Sequence, residues 1–191
     1  MRTKSVILYS IDELSPEAKE TALETFHYWN VEAGWCDWLL EQLKEELAKA
    51  GYRDAEISYT GFYSQGDGAS FTCPSVDLSK FIKDKRTKLF RLAQKNYIYA
   101  SIERVSSSYY SHEGTCKVTV EWDADGEIDL TDEIREQIQA LEDIIESNRL
   151  YWCKKIYTEL KEQYEYQTSD KAITESLLAN EIEFLEDGTR F

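Results

Sequence analysis

In this 191-residue sequence the residue types best suited to chemistry lie in Ser64-Gln65-Gly66-Asp67-Gly68-Ala69-Ser70, with Tyr63 before them and Phe71 after. Gly61, Gly66 and Gly68, three of the chain's eight glycines, fall within eight residues and free the backbone for positive φ and close approach. Two readings follow. Asp67 can serve the turn itself, its carboxylate bonding nearby backbone N–H groups. Alternatively, the N–H groups of Gly66, Gly68 and Ala69 form an anion nest, with Ser64, Gln65 and Ser70 as polar contacts and Tyr63 or Phe71 stacking. The second reading makes Tyr63, Ser64, Gln65, Gly66, Asp67, Gly68 and Ser70 a ligand-binding set for an anion or nucleotide. A phosphate loop of the P-loop kind does not fit, since no Lys-Ser/Thr follows and no helix opens there.

No catalytic residues can be assigned. Nucleophilic catalysis needs a nucleophile beside a base, and His27 and His112 fall in a helix and a loop tip outside any such motif. Cys36, Cys73, Cys116 and Cys153 have no Cys-x-x-Cys spacing, which predicts buried thiols in a reducing compartment rather than zinc ligands. Asp123 to Asp129 looks calcium-like, but counting from Asp123 the glycine stands at position 4 and position 12 is Ile134. An EF-hand loop needs glycine at 6 and glutamate at 12. The sequence therefore predicts a non-enzymatic protein without metal or cofactor.

The elements that position the glycine loop are readable from periodicity. Val6 to Tyr9 predicts a first strand, and Ser15-Pro16-Glu17 starts a helix reaching Tyr28–Asn30. A second helix begins near Trp35, with Trp35, Trp38, Leu39, Gln42, Leu43 and Leu47 near one stripe, and ends before Gly51. Ile57–Tyr63 and Ala69–Thr72 form a hairpin with a tight reversal between them. Asp77 or Ser79 caps a basic helix to Gln94, whose lysines and arginines are either a solvated face or a contact surface. The runs 97–106 and 115–122 alternate as a second hairpin, with Cys116, Val118, Val120 and Trp122 on one face. Its tip, with Tyr109 and Tyr110, has the composition of a recognition loop or else extends the strands over the sheet edge. From Asp132, Ile134, Ile138, Leu141 and Ile145 start a heptad-like stripe that runs through Asn148 or Arg149 to Trp152, Ile156, Leu160 and Gln163. This helix, to Tyr164, packs on the protein's own sheet or pairs with a second copy as a homodimer. A short helix and a strand at 181–184 close the chain. The order predicts one α+β domain over 1–191, with helices on an antiparallel sheet of two hairpins plus terminal strands.

The formal charge of −15 disfavours direct non-specific binding to nucleic acid and suits capture of a basic surface. The charge is uneven: residues 123–150 carry ten acids and two bases, and residues 76–100 carry seven bases and two acids. No run is apolar enough to span a membrane, and Val6-Ile7-Leu8 is too short for a signal peptide, which predicts a cytoplasmic protein.

Gly61-Phe62-Tyr63-Ser64-Gln65-Gly66-Asp67-Gly68-Ala69-Ser70-Phe71 resembles the signature of a family of small proteins encoded by bacteriophages and prophages. Ile11–Lys19, Glu162–Ile173 and Ala179–Phe184 with Glu186-Asp187-Gly188 resemble other blocks of that family. The resemblance implies a phage accessory role in a bacterial host cell and carries over no catalytic residues. Together with the acidic charge it predicts binding and inhibition of a host macromolecule, a protein or nucleoprotein complex with a basic surface. A defence component such as a CRISPR effector is the leading expectation. Asp123, Asp125, Asp129 and Asp132 would face that surface, with Tyr109, Tyr110, Lys83 and Arg86 supplying specific contacts.

Overall fold

Serine at position 15 starts the first helix as expected. In the computed structural model, which describes residues 5–105, 109–123 and 131–191, Ser15 Oγ accepts the Ala18 N–H at 3.2 Å and α1 runs over Pro16–Thr25. The helix stops short of Tyr28–Asn30. The chain tightens into a 3-10 turn at Trp29–Val31, which sets the Trp29 ring edge-on to Phe26 at 5.3 Å. Helix α2 spans Asp37–Ala50 and buries Leu39, Leu43 and Leu47. Trp38, expected in that stripe, is 55% exposed, because its neighbour Leu39 takes the inward position.

The basic segment is not one helix. A 3-10 turn at Leu78–Lys80, capped by Asp77, is followed by irregular chain, and α3 spans only Lys88–Gln94. The interruption is chemical. Asp84 Oδ1 accepts the Arg86 N–H at 2.9 Å, while Thr87 Oγ1 donates to Asp84 O at 2.9 Å and accepts the Phe90 N–H at 3.2 Å. Short polar side chains thus take backbone partners that a continuous helix would use, and Thr87 caps a new helix instead.

The strands form three two-stranded antiparallel sheets: β1 (Tyr52–Arg53) with β4 (Ser75–Val76), β2 (Glu56–Thr60) with β3 (Gly68–Thr72), and β5 (Ile98–Arg104) with β6 (Cys116–Trp122). Cys73 and Ile102 exchange backbone bonds of 2.9 and 2.8 Å, which links the first hairpin to the second. On β6 the inward face is Cys116, Val118 and Val120, and Trp122 is partly exposed. The terminal strands reduce to isolated bridges at Phe184: it exchanges bonds of 2.9 Å each with Tyr9 and also bridges Arg190, and the left-handed Glu181 (φ 52°) stops extended pairing before it. Helix α4 spans Asp132–Gln167, and α5, capped by Ser169, spans Asp170–Ala179. The buried positions of α4 are Ile134, Ile138, Leu141, Ile145, Arg149, Cys153, Ile156 and Leu160, so Cys153 rather than Trp152 continues the stripe. The molecule is α+β.

Contacts divide the chain into two units, Met1–Asp37 with Lys161–Phe191, and Trp38–Leu160. The terminal unit is built on Ile11, Ala22, Phe26, Ile173, Leu177 and Phe184. The inner unit holds α2, all three sheets, α3 and α4 through Leu160, and its core is the α4 stripe with Leu43, Leu47, Tyr52, Phe71, Ile98 and Ile102. Among the described residues no helix is long and apolar enough to cross a membrane.

Phe184 is fully buried, with its ring 5.9 Å from Phe26. Phe184→Ala is expected to destabilise the terminal unit by about 3–5 kcal/mol, read by urea unfolding followed with tryptophan fluorescence from Trp29.

Candidate functional site

The glycine motif closes a loop over residues 61–67 rather than a tight reversal, because β2 ends at Thr60 and β3 resumes at Gly68. Asp67 folds back into that loop. Its Oδ2 accepts the N–H groups of Tyr63 at 2.9 Å and Ser64 at 2.6 Å, and its own N–H donates to Ser64 O at 3.1 Å. The carboxylate needs the space left by Gly61, where a β-carbon would come 2.5 Å from Oδ2. Positive φ occurs at Gly61 (30°) and Gly66 (96°), not at Gly68. Gly68 is required for a different reason: a β-carbon there would lie 2.6 Å from His112 Cβ.

That contact brings the second hairpin tip onto the first. The Ser111 N–H donates to Thr60 Oγ1 at 3.1 Å, and Thr60 Oγ1 lies 3.3 Å from Ser111 O. A β-carbon on Gly66 would lie 3.4 Å from Tyr110 Cγ, so the tyrosine ring covers the glycine. Beneath them Thr115 Oγ1 sits 3.1 Å from Ser70 Oγ, both buried. His112 Nδ1 accepts the Gly114 N–H at 3.1 Å and Arg104 Nη2 donates to Tyr110 O at 3.4 Å, fixing the tip from both sides. The ligand-loop candidates and the two tyrosines therefore belong to one surface. Tyr63 (71% exposed) and Tyr109 (87%) stand out from it, with Tyr110 (40%) edge-on to Tyr109 at 5.7 Å. Ser64 and Gln65 are exposed on the same loop, whereas Ser70 is interior.

A cleft of about 440 Å3 opens between this surface and α4, lined by Asp67, Glu113, Leu150, Cys153, Lys154 and Tyr157 among others. Tyr157 holds its edge by donating to Phe62 O at 3.2 Å. Below it Arg149, 1% exposed, donates from Nε and Nη2 to the Glu146 carboxylate at 2.8 and 2.6 Å. Its Nη1 lies 3.6 Å from Cys153 Sγ. Glu146 Oε2 also accepts the Val118 N–H of β6 at 3.4 Å. The Arg149 hydrogen bonds hold the Glu146 carboxyl below the usual carboxylate range. Burial pushes the Cys153 thiol up to about 11 despite the guanidinium beside it, so at neutral pH it is a thiol, not a thiolate.

The remaining predicted residues lie on other elements. Asp123 follows β6, its N–H donating to Tyr97 O at 3.0 Å, and Asp132 is the first residue of α4, where an acid suits the helix dipole. Lys83 and Arg86 occupy the exposed turn before α3, Arg86 pairing with Asp84 at 3.1 Å. Asp125 and Asp129 lie outside the described residues. All four cysteines are buried, and no group of three or more His, Cys, Asp or Glu among the described residues is placed to hold a metal. Sequence reasoning missed His112, Glu113, Thr115, Lys154 and Tyr157 as parts of the surface. The signal it passed over is Glu146 three residues before Arg149, a charged pair intruding on an apolar heptad.

The molecule is an α+β protein whose two hairpin tips converge on one surface. The chain belongs to the DUF8835 family, a domain of unknown function, whose model matches residues 35–170. No curated protein matches the chain. No solved structure matches it.

Glu146 has a lowered folded pKa, so its stabilising contribution is complete above the unfolded glutamate value of about 4.3 and is lost as pH falls through the folded value. Urea-unfolding free energy is expected to drop on that acid limb, and Glu146→Gln is expected to flatten the limb while lowering stability at neutral pH. Arg149→Ala is expected to destabilise near the lower end of about 3–5 kcal/mol, since Glu146 is partly exposed and can rehydrate.

Proposed function

We propose that this protein works by binding rather than turnover, presenting the joined hairpin tips as a preformed tyrosine-bearing surface that occupies and inhibits a macromolecular partner. The observation that carries the reading is the packing of Gly66 beneath Tyr110 and Gly68 against His112, which fixes the described residues of the two tips against each other. Tyrosine on an ordered loop offers large amphipathic contact area with little rotamer freedom to lose, and such residues dominate binding energy at interfaces. The charge of −15 directs the protein to a basic surface, on a host protein or a nucleoprotein complex. The likeness of residues 61–71 to a phage signature supports a phage accessory protein in the bacterial cytoplasm, with a defence component such as a CRISPR effector as its target.

The cleft supports a second reading, a small-ligand binder, since about 440 Å3 falls within the usual size of ligand sites. An anionic ligand fits it less well. Asp67 and Glu113 line it opposite Lys154, and the Tyr63 and Ser64 amides already hold the Asp67 carboxylate.

Intact mass measurement of the tagged chain purified from a bacterial lysate separates the two readings. A co-purifying protein or nucleoprotein is expected, and Tyr63→Ala with Tyr109→Ala is expected to weaken it about tenfold or more with unchanged thermal unfolding. A mass excess of roughly a few hundred daltons that Gln65→Ala with Asp67→Ala removes would overturn the proposal in favour of the ligand reading. The same spectrum reports whether two copies pair through residues 132–164.

A further inference from the structure

Residues 80–95 carry Lys80, Lys83, Lys85, Arg86, Lys88, Arg91 and Lys95 against one acid, Asp84, in a chain of net charge −15. All seven cations are exposed, while Phe81, Ile82, Leu89, Phe90 and Leu92 of the same stretch are buried. The apolar side chains anchor the segment and leave its charge outward. Local bonds set its shape: besides the Asp84 and Thr87 caps, Arg91 Nη2 donates to Arg86 O at 3.1 Å. The Asp84–Arg86 pair is closed within two residues, so a large positive excess stays at the surface.

Beside α3 lies a cleft of about 230 Å3 whose lining includes Arg53, Ser75, Ser79, Gln94, Asn96 and Tyr99. It is smaller than the roughly 300–1,000 Å3 that encloses a whole small molecule. The acid in its wall, Asp77, is already committed: it accepts from Arg53 Nη2 at 3.1 Å, Ser79 N at 3.1 Å and Ser79 Oγ at 2.6 Å. The Ser75 hydroxyl, the Gln94 and Asn96 side-chain amides and the half-exposed Tyr99 ring remain, its hydroxyl hydrogen-bonded to Glu121, and such groups read an unpaired base edge and stack on its face.

We infer that this edge binds single-stranded nucleic acid, its phosphates on the cations of 80–95 and one base at the cleft. An acidic protein surface would engage the cations but has no base for Gln94, Asn96 and Tyr99, and a duplex keeps its bases paired. The chain-wide negative charge does not forbid the contact, because at physiological salt charges beyond about 8 Å are largely screened. The site shares no lining residue with the cleft at the hairpin tips, so it stands or falls independently of that surface.

Fluorescence anisotropy of the full-length chain with labelled oligouridine and oligothymidine of about twelve nucleotides tests this. Binding is expected at about 50 mM salt and is expected to weaken about tenfold or more by about 200 mM. Lys83→Glu with Lys85→Glu is expected to lose about tenfold and flatten the salt slope, whereas Tyr99→Ala is expected to lose about tenfold with the slope unchanged. Preference for oligouridine assigns RNA through its 2′-hydroxyls, and equal or tighter binding of oligothymidine assigns single-stranded DNA. Absence of binding by the wild type, indifference to the charge reversal, or equally good competition by polyglutamate, which would mark an acidic protein surface, overturns the inference.

Discussion

The guanidinium of Arg149 lies in a helix stripe otherwise made of isoleucine, leucine and cysteine, and its charge must be met there. An uncompensated buried cation costs several kcal/mol, so the rest of the inner unit is arranged around the groups that compensate it. Glu146, one turn earlier, provides a two-point partner, and its second oxygen also takes the Val118 amide of β6. A helix held only by apolar contacts could rotate or slide by a small amount and still bury its stripe. The charged bond from α4 to a particular strand amide removes that latitude. Tyr52 adds a second fixed point by donating to Asn148 Oδ1 at 2.8 Å. Setting α4 in this way decides that Leu150, Lys154 and Tyr157 face the glycine loop.

Contact between the two hairpin tips depends on what is missing rather than what is present. His112 and Tyr110 approach the first loop only because residues 66 and 68 have no side chain, and Asp67 enters its own loop only because residue 61 has none. The three glycines are thus explained by three different contacts, not by a general need for a flexible turn. Asp67 then turns a stretch of permissive backbone into a determined one, since two amides bond a single carboxylate oxygen. The loop is glycine-rich in composition and ordered in structure.

Features governed by local chemistry were legible in the sequence. Ser15 and Ser169 cap their helices, the alternating runs pair as the second hairpin, and the 4-3-4 spacing from Ile134 marks the buried face of α4. Where local signals competed, periodicity alone misled. The basic stretch has helical composition, yet Asp84 and Thr87 bond the backbone and restart the helix. The heptad count continued to Trp152, but burial of Arg149 advances the next inward position by four, to Cys153. The terminal strands had the right residue types, but among the described residues they form only isolated bridges at Phe184, because strand length depends on pairing that no single segment encodes. For the candidate site, the loop residues and the tyrosines stood out by type. Their convergence did not, since Thr60 and Ser111 are 51 residues apart and nothing in either stretch names the other.

The closed loop over residues 61–67 bears on how such a surface would bind. Association is opposed by the loss of loop and side-chain freedom, and a loop already closed on Asp67 and roofed by Tyr110 has little left to lose. Long-range attraction then does a separate job. A net charge of −15 would raise the rate of encounter with a basic surface, while the short-range fit of tyrosines would set how long such a complex lasts. The two effects reside on different residues and respond to different perturbations, salt for the first and side-chain truncation for the second.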